Sequence, residues 1–181
     1  MLRGARCSLR AYRPADAPGL QAIADDPLVA RWMRASRFPS PYTLADAERW
    51  ISSVLAAPVE THFLIEVDGE PAGGMGIVDL VEDEEGIGVI GYWLGRRFWG
   101  RGIATDAART LARHAFDDRG FRRLESAVYA PNVASARVLE KAGFQREGCF
   151  REHARLRDGS LCDQYMFGRL ASDPEPQDDV R

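Results

Sequence analysis

The chain has 181 residues, 45% of them hydrophobic and 28% charged, the balance of a soluble domain large enough for one core. Its net charge of −3 belongs to residues 172–181, where four acids (Asp173, Glu175, Asp178, Asp179) face only Arg181. The remaining acids and bases cancel, which excludes the broad basic face of a sequence-independent nucleic-acid binder. No apolar run approaches the roughly 20 residues that span a bilayer. The basic residues 1–10 lack the apolar stretch of a secretion signal.

Residues 6–13 alternate enough to form a strand. Residues 14–25 read as a helix with Pro14 at its start, and residues 27–33 add a short helical turn. A proline-rich irregular stretch follows to residue 42. Thr43 is an apt N-cap, with Asp46 three residues on as a capping-box variant, for a helix to about residue 56. Residues 62–67, 72–80 and 87–94 are strand candidates, the first two joined by a hairpin at Asp68 and Gly69.

A long helix is expected from Ile103 to about Phe116, with Ala104, Ala107, Ala108, Leu111, Ala112 and Ala115 at spacings of three and four. Residues 124–129 form the next strand, and Asn132 caps the next helix, which Gly143 ends. Residues 144–157 and 160–170 are closing strands joined at Asp158 and Gly159. Interleaved strands and helices specify a layered α/β fold. Residues 1–171 form one domain, and residues 172–181 are expected to be a disordered acidic tail. Cys7, Cys149 and Cys162 lack metal-ligand spacing and read as reduced thiols of a cytoplasmic protein.

The chemistry concentrates in residues 91–110. A β-rich segment runs through Trp93 and Leu94 into a turn carrying Arg96, Arg97, Trp99, Gly100, Arg101 and Gly102, and a helix follows at once. The first amides of a helix lack intrahelical partners and carry partial positive charge. Glycines let main chain approach a phosphate, and arginines add planar donors. The turn therefore reads as a site for a phosphorylated ligand. Gly102 is followed by Ile103 and Ala104, not by the Lys-Ser/Thr of a Walker loop. Thr105 stands where a dinucleotide fingerprint needs its third glycine.

A second constellation, Asn132-x-x-Ser135 followed by Leu139-Glu140-Lys141-x-Gly143-Phe144, narrows the choice. Together with Arg97-x-x-Gly100-x-Gly102, it resembles the GNAT superfamily of acyl-CoA-dependent N-acyltransferases. Gly91-Tyr92-Trp93-Leu94, Trp99-Gly100-Arg101-Gly102 and Ala104-Thr105 are similar to the branch that acetylates the N-termini of ribosomal proteins. The resemblance covers residues 6–170. It implies a mixed, mostly antiparallel sheet with helices on both faces and splayed central strands.

It further implies direct transfer of an acetyl group from acetyl-CoA, without a metal, to a primary amine, first of all a protein or peptide α-amine. A small amine (polyamine, amino acid or antibiotic) and a non-catalytic acyl-CoA sensor are the alternatives. As a monomer or homodimer, the protein would engage acetyl-CoA and the acceptor, with neither nucleic acid nor membrane as partner.

On the same resemblance Arg97, Trp99, Gly100, Arg101, Gly102, Ala104 and Thr105 would hold the diphosphate. Trp93 and Leu94 would bond the pantetheine arm through their main chain, with Asn132 and Ser135 along it and Lys141 near the nucleotide phosphate. An oxyanion hole is implied near Tyr92 or Trp93. Many relatives carry an acidic tyrosine seven residues after the asparagine, where Leu139 stands here, so Ser135 becomes the candidate that assists the leaving thiolate. For the base, Val89 and Ile90 stand where the branch often has an acid. Glu85, within the acidic run 82–85, and Asp163, with Tyr165 nearby, are the remaining candidates. His62, His114 and His153 read as surface or core residues.

Overall fold

The computed structural model describes residues 1–57, 61–79 and 86–177. The strands are β1 (Leu2–Arg3), β2 (Ser8–Arg10), β3 (His62–Val67), β4 (Glu70–Asp79), β5 (Ile87–Leu94), β6 (Arg123–Tyr129), β7 (Gln145–Arg155) and β8 (Leu161–Leu170). The helices are α1 (Ala17–Ala24), α2 (Pro27–Ala30), α3 (Leu44–Leu55), α4 (Ile103–Arg113) and α5 (Val133–Lys141). The strands make one sheet in the order β1-β2-β3-β4-β5-β6-β8-β7. Every neighbouring pair is antiparallel except β5 and β6, because α4 carries the chain back before β6 begins.

That parallel pair positions the site. Its register holds only from Ile87 opposite Arg123 to Val89 opposite Glu125. Beyond, β5 continues to Leu94 and β6 to Tyr129 without pairing to each other. Where the ladder stops, the buried Ser126 hydroxyl donates to the Ile90 carbonyl at 3.1 Å. The two strands part at their carboxyl ends, where open α/β sheets place ligands.

One face of the sheet packs against α4 and α5. Ala107, Ala108 and Leu111 of α4 and Leu139 of α5 meet Phe63, Ile65, Met75, Ile77 and Ile90. Small alanines let α4 lie close to the strands, as the spacing predicts. Leu111, Leu124 and Leu139 are wholly buried here, and truncating any one to alanine costs about 2–5 kcal/mol. The other face carries α1, α2 and α3, whose Leu20, Val29, Ala47 and Ile51 pack with Tyr12, Phe38, Tyr42 and Leu64. Trp93 touches both clusters.

An ion-pair cluster fixes this second layer. The buried Arg10 guanidinium grips Asp16 with two bonds of 2.8 Å and also bonds Glu66. Burial pushes the Asp16 carboxyl up. The Arg10 bonds and the Arg13 amide outweigh that and hold it below the ordinary value.

Local chemistry explains the element ends. Thr43 and Asp46 form the expected reciprocal box at the start of α3. Asp68 and Gly69, at φ 51° and 81°, make the tight hairpin between β3 and β4. Three expectations differ. The strand predicted over residues 6–13 is only Ser8–Arg10, because the amides of Ala5, Arg6 and Cys7 bond the Asp106 carboxylate instead. The long helix is α-helical only to Arg113 and widens into a π turn at His114–Asp118.

The tail expected to be disordered from residue 172 is held against the domain as far as Gln177. Glu175 pairs with the buried Arg169 at 2.9 Å, and the Gln177 carbonyl accepts from Arg109. Among the described residues, no helix is long and apolar enough to cross a membrane.

Candidate active site

The turn between β5 and α4 has the form of a main-chain anion cradle. Arg96–Phe98 make one 3-10 turn, then Gly100 and Gly102 take φ of 71° and 73°. Gly102 is the N-cap of α4 and offers no side-chain cap. The first bond of the helix runs from the Asp106 amide to the Gly102 carbonyl at 3.0 Å. The amides of Ile103, Ala104 and Thr105 therefore precede the helical ladder, at the positive end of the macrodipole.

The cationic side chains are divided. Arg96 pairs with Asp26 at 3.0 Å and Arg97 with Glu70 at 2.8 Å. The Arg97 pair is exposed on both sides, so it contributes only about 0–1 kcal/mol and does not lock the guanidinium. Arg101 makes no ion pair among the described residues and lies over Phe98 at 5.8 Å. A further cation comes from an unexpected quarter. Arg6 lies beside Gly102, where a Cβ would sit 3.3 Å from the Arg6 Nε.

Asp106, in the first turn of α4, brings Arg6 there by accepting three amides of residues 5–7 at 2.7–3.1 Å. Gly4 is required in that loop, because a Cβ would fall 2.2 Å from the Asp106 carboxylate. Arg6 stands almost a hundred residues from the turn, and no local pattern reveals it.

The gap between β5 and β6 continues from this cradle. The Gly95 amide donates to Ala72 of β4, and the Ile90 carbonyl is met from β6. Alternation along an antiparallel strand then sends the main-chain groups of Gly91 and Trp93 to β4, and those of Ile90, Tyr92 and Leu94 into the gap. This corrects the expectation for Trp93, whose main chain is spent in the sheet opposite Gly74. Leu94 keeps a gap-facing amide, but its carbonyl accepts from the Trp99 indole at 2.8 Å. Trp99 thus closes the turn from outside, 41% exposed.

Across the gap, the Asn132 side chain caps α5 by accepting from the Ser135 amide at 3.2 Å. The Tyr92 hydroxyl lies 2.9 Å from Ser135 Oγ and donates to the Ser135 carbonyl at 3.1 Å. Burial raises the Tyr92 phenol to about 12, against a smaller opposing effect of the Ser135 bond. Position 139, where a tyrosine was sought, holds a leucine wholly inside the core. Lys141 sits at the far end of α5, its carbonyl accepting from Arg109.

The opposite face of these strands is partly cleared of side chains. His62, Gly76 and Gly91 stand in one row across β3, β4 and β5. Nothing lies within 4 Å of where a Gly91 Cβ would be, whereas a Cβ on Gly76 would meet His62 Cδ2 at 2.6 Å and Nε2 at 2.9 Å. The imidazole therefore lies over β4 beside an open space on β5. Its Nδ1 is 2.9 Å from the Thr61 hydroxyl, and its ring stands edge-on to Trp50 at 5.1 Å. Burial lowers its basicity below the ordinary value.

Tyr12 and Trp93 close the next position, over Gly74, and Phe38 stands edge-on to Trp93 at 5.4 Å. Asp163 lies elsewhere. Its carboxylate accepts from the Glu152 amide at 2.9 Å and from Cys149, stabilising a bulge of β7 where Glu152 has a φ of 50°. Glu85 and the acidic run around it lie outside the described residues.

A model of the acetyltransferase (GNAT) domain matches residues 6–145. The N-acetyltransferase p20 of Bacillus licheniformis is 30% identical over 167 residues, 91% of this chain and 93% of that protein. Aminoglycoside N(6′)-acetyltransferase type 1 of Klebsiella pneumoniae is 32% identical over 117 residues, 59% of this chain and 58% of that one. Among solved structures, RimL, a ribosomal L7/L12 α-N-protein acetyltransferase in complex with coenzyme A, superposes with a TM-score of 0.77 at 22% identity. That superposition covers 92% of this chain and 93% of RimL.

Proposed function

The chain belongs to the GNAT acetyltransferase family and is an acetyl-CoA-dependent N-acetyltransferase, and on that premise we propose that its acceptor is the α-amine of a peptide or protein. One observation carries this. The β5 row facing the acceptor chamber is Val89, Gly91 and Trp93, without a carboxylate. An α-amine, with pKa about 8, is neutral far more often at pH 7 than a lysine-like amine near 10.4. It is the acceptor that a chamber with weak basicity can use. The likeness to RimL supports the same reading.

The diphosphate of acetyl-CoA lies on the amides of Gly100 to Thr105, with Arg101 and Arg6 as the charged donors. The pantetheine arm runs along the gap beside the main chain of Tyr92 and Leu94, in the manner of an added strand. The Tyr92 amide faces the acyl oxygen, where a preorganised donor is worth several kcal/mol. Ser135 and Tyr92 meet the sulfur. A serine hydroxyl, or a phenol near 12, is a weaker acid than an ordinary thiol near 8.5, so full proton transfer to the thiolate runs uphill. The Ser135 hydroxyl stabilises the departing sulfur by hydrogen bonding, the Tyr92 phenol holds Ser135 in place through its carbonyl, and solvent supplies the sulfur's proton.

A small polycationic acceptor is the second reading, favoured by the match to the aminoglycoside enzyme. Thiol release from acetyl-CoA, followed with Ser- and Ala-initiated hexapeptides, their N-blocked forms, spermidine and kanamycin, separates the two. The expected result is turnover of the free peptides alone. Turnover of kanamycin or spermidine with inert peptides would replace the first reading by the second.

A further inference from the structure

The transfer needs a proton acceptor, and among the described residues the cosubstrate side offers none. Tyr92 and Ser135 are donors, Asp163 is committed to β7, and Val89 occupies the β5 row. The other histidines stand apart: His114 pairs with Asp118 at 2.7 Å, and His153 packs on Phe150 at the surface of β7. His62 differs in place and in freedom. It is half-buried, and Nε2 has no partner among the described residues. In the tautomer whose Nδ1–H donates to the Thr61 hydroxyl, Nε2 carries the lone pair. Adjacent strands lie about 4.8 Å apart, so a ring seated over Gly76 stands about one strand spacing from the open position above Gly91.

We propose that His62 is the proton acceptor of acetyl transfer, receiving the amine proton at Nε2 above Gly91, directly or through one water. The inference rests on the amine-acceptor reading above. The amine lone pair forms the new C–N bond while the carbonyl π pair moves onto oxygen, and the nitrogen's proton passes to Nε2. When the carbonyl re-forms, the C–S bond breaks and its electron pair leaves with sulfur as the thiolate that Ser135 hydrogen-bonds. The imidazolium returns its proton to solvent. Gly76 is part of the device, since any side chain there would displace the ring.

The groups facing the imidazole are the Thr61 hydroxyl beside it, Trp50 from α3, and the glycines of β4, with the Tyr12 phenol beyond Trp50 at 6.4 Å between rings. Burial alone shifts the imidazole, without a contribution from a charged neighbour. It stays neutral and able to accept a proton across the neutral range.

The test compares the wild type with His62→Gln and His62→Ala. It uses a Ser-initiated hexapeptide, kcat from acid to alkaline pH, and calorimetry with acetyl-CoA. We expect kcat to fall about 100-fold, at the lower end for a general base. Acetyl-CoA affinity should stay within twofold, the limb of the pH profile below pH 6.5 should disappear, and added imidazole should speed His62→Ala but not the wild type. Wild-type kcat and pH profile in either variant would overturn the assignment. So would a fall in kcat matched by lost acetyl-CoA affinity and deaf to imidazole, which marks a structural role. A wild type inactive on the peptide, spermidine and kanamycin alike overturns the amine reading itself, and this assignment with it.

Discussion

The cosubstrate side of the cleft is made largely of main chain, and the acceptor side of side chains. On the first, two glycines at positive φ, the unladdered amides of Ile103 to Thr105 and the gap-facing edge of β5 are the groups our reading gives to the cosubstrate. All of that lies within one continuous stretch, Ile90 to Thr105. On the second, Tyr12, Phe38, Trp50, His62 and Trp93 converge from five separate stretches of chain. A buried Arg10–Asp16–Glu66 cluster supports the layer that carries them. In our reading the diphosphate is the constant part of the ligand, and amides in a fixed turn hold it. The acceptor varies, and side chains on a supported layer can be exchanged without disturbing the turn.

Four substitutions break or sharpen that contrast, and the largest effect falls on the acceptor side. Asp16→Ala removes the two-bond partner of the buried Arg10, leaving it Glu66, and is expected to cost about 3 kcal/mol in urea unfolding, the lower end for a broken buried pair. Acetyl-CoA affinity of the folded fraction should be unchanged. Asp16 titrates lower in the folded chain than unfolded. Its contribution is therefore complete above about pH 3.9 and is lost as pH falls through the lower folded value, and the variant should lose that part of the acid dependence.

Next, Arg101→Glu reverses a charge beside the proposed diphosphate site. Calorimetry should show acetyl-CoA binding about 30–100-fold weaker, equivalent to about 2–3 kcal/mol, with little change in melting temperature. Gly102→Ala forces a Cβ into a left-handed conformation, at about 1–2 kcal/mol, and presses it toward Arg6. A loss of about tenfold in acetyl-CoA affinity is expected, with peptide KM unaltered. Smallest is Ser135→Ala, which should lower kcat about tenfold, or about 1.4 kcal/mol, while acetyl-CoA affinity stays within twofold. A Ser135→Ala variant with unchanged turnover would remove the serine from the chemistry.

The same contrast decides what could be read from residues alone. Positive-φ glycines, an N-cap asparagine and a capping box act within one turn of chain, so Gly100, Gly102, Asn132 and Thr43 announce themselves. The order of strands and the splay also follow from the family pattern those motifs carry. Contacts between distant segments leave no such mark. Arg6 reaches the diphosphate turn only because Asp106 collects the amides of residues 5–7. Tyr92 reaches Ser135 only because β5 and α5 face each other across the gap. His62 looks like any scattered histidine until Gly76 and Gly91 are seen to clear the sheet beside it. The bonds of the main chain of β5 depend on strand alternation, which turns Trp93 toward β4 and Tyr92 toward the gap and which motifs alone do not reveal.

The claim on which the rest depends is that the main chain from Gly100 to Thr105 binds the diphosphate. Its most direct test is calorimetry of the wild type and Gly102→Ala with coenzyme A and with pantetheine, which lacks the diphosphate. The expected result is coenzyme A bound at least 100-fold more tightly than pantetheine by the wild type, with Gly102→Ala weakening coenzyme A alone. Equal affinity for the two ligands, or an equal loss of both in the variant, would contradict it.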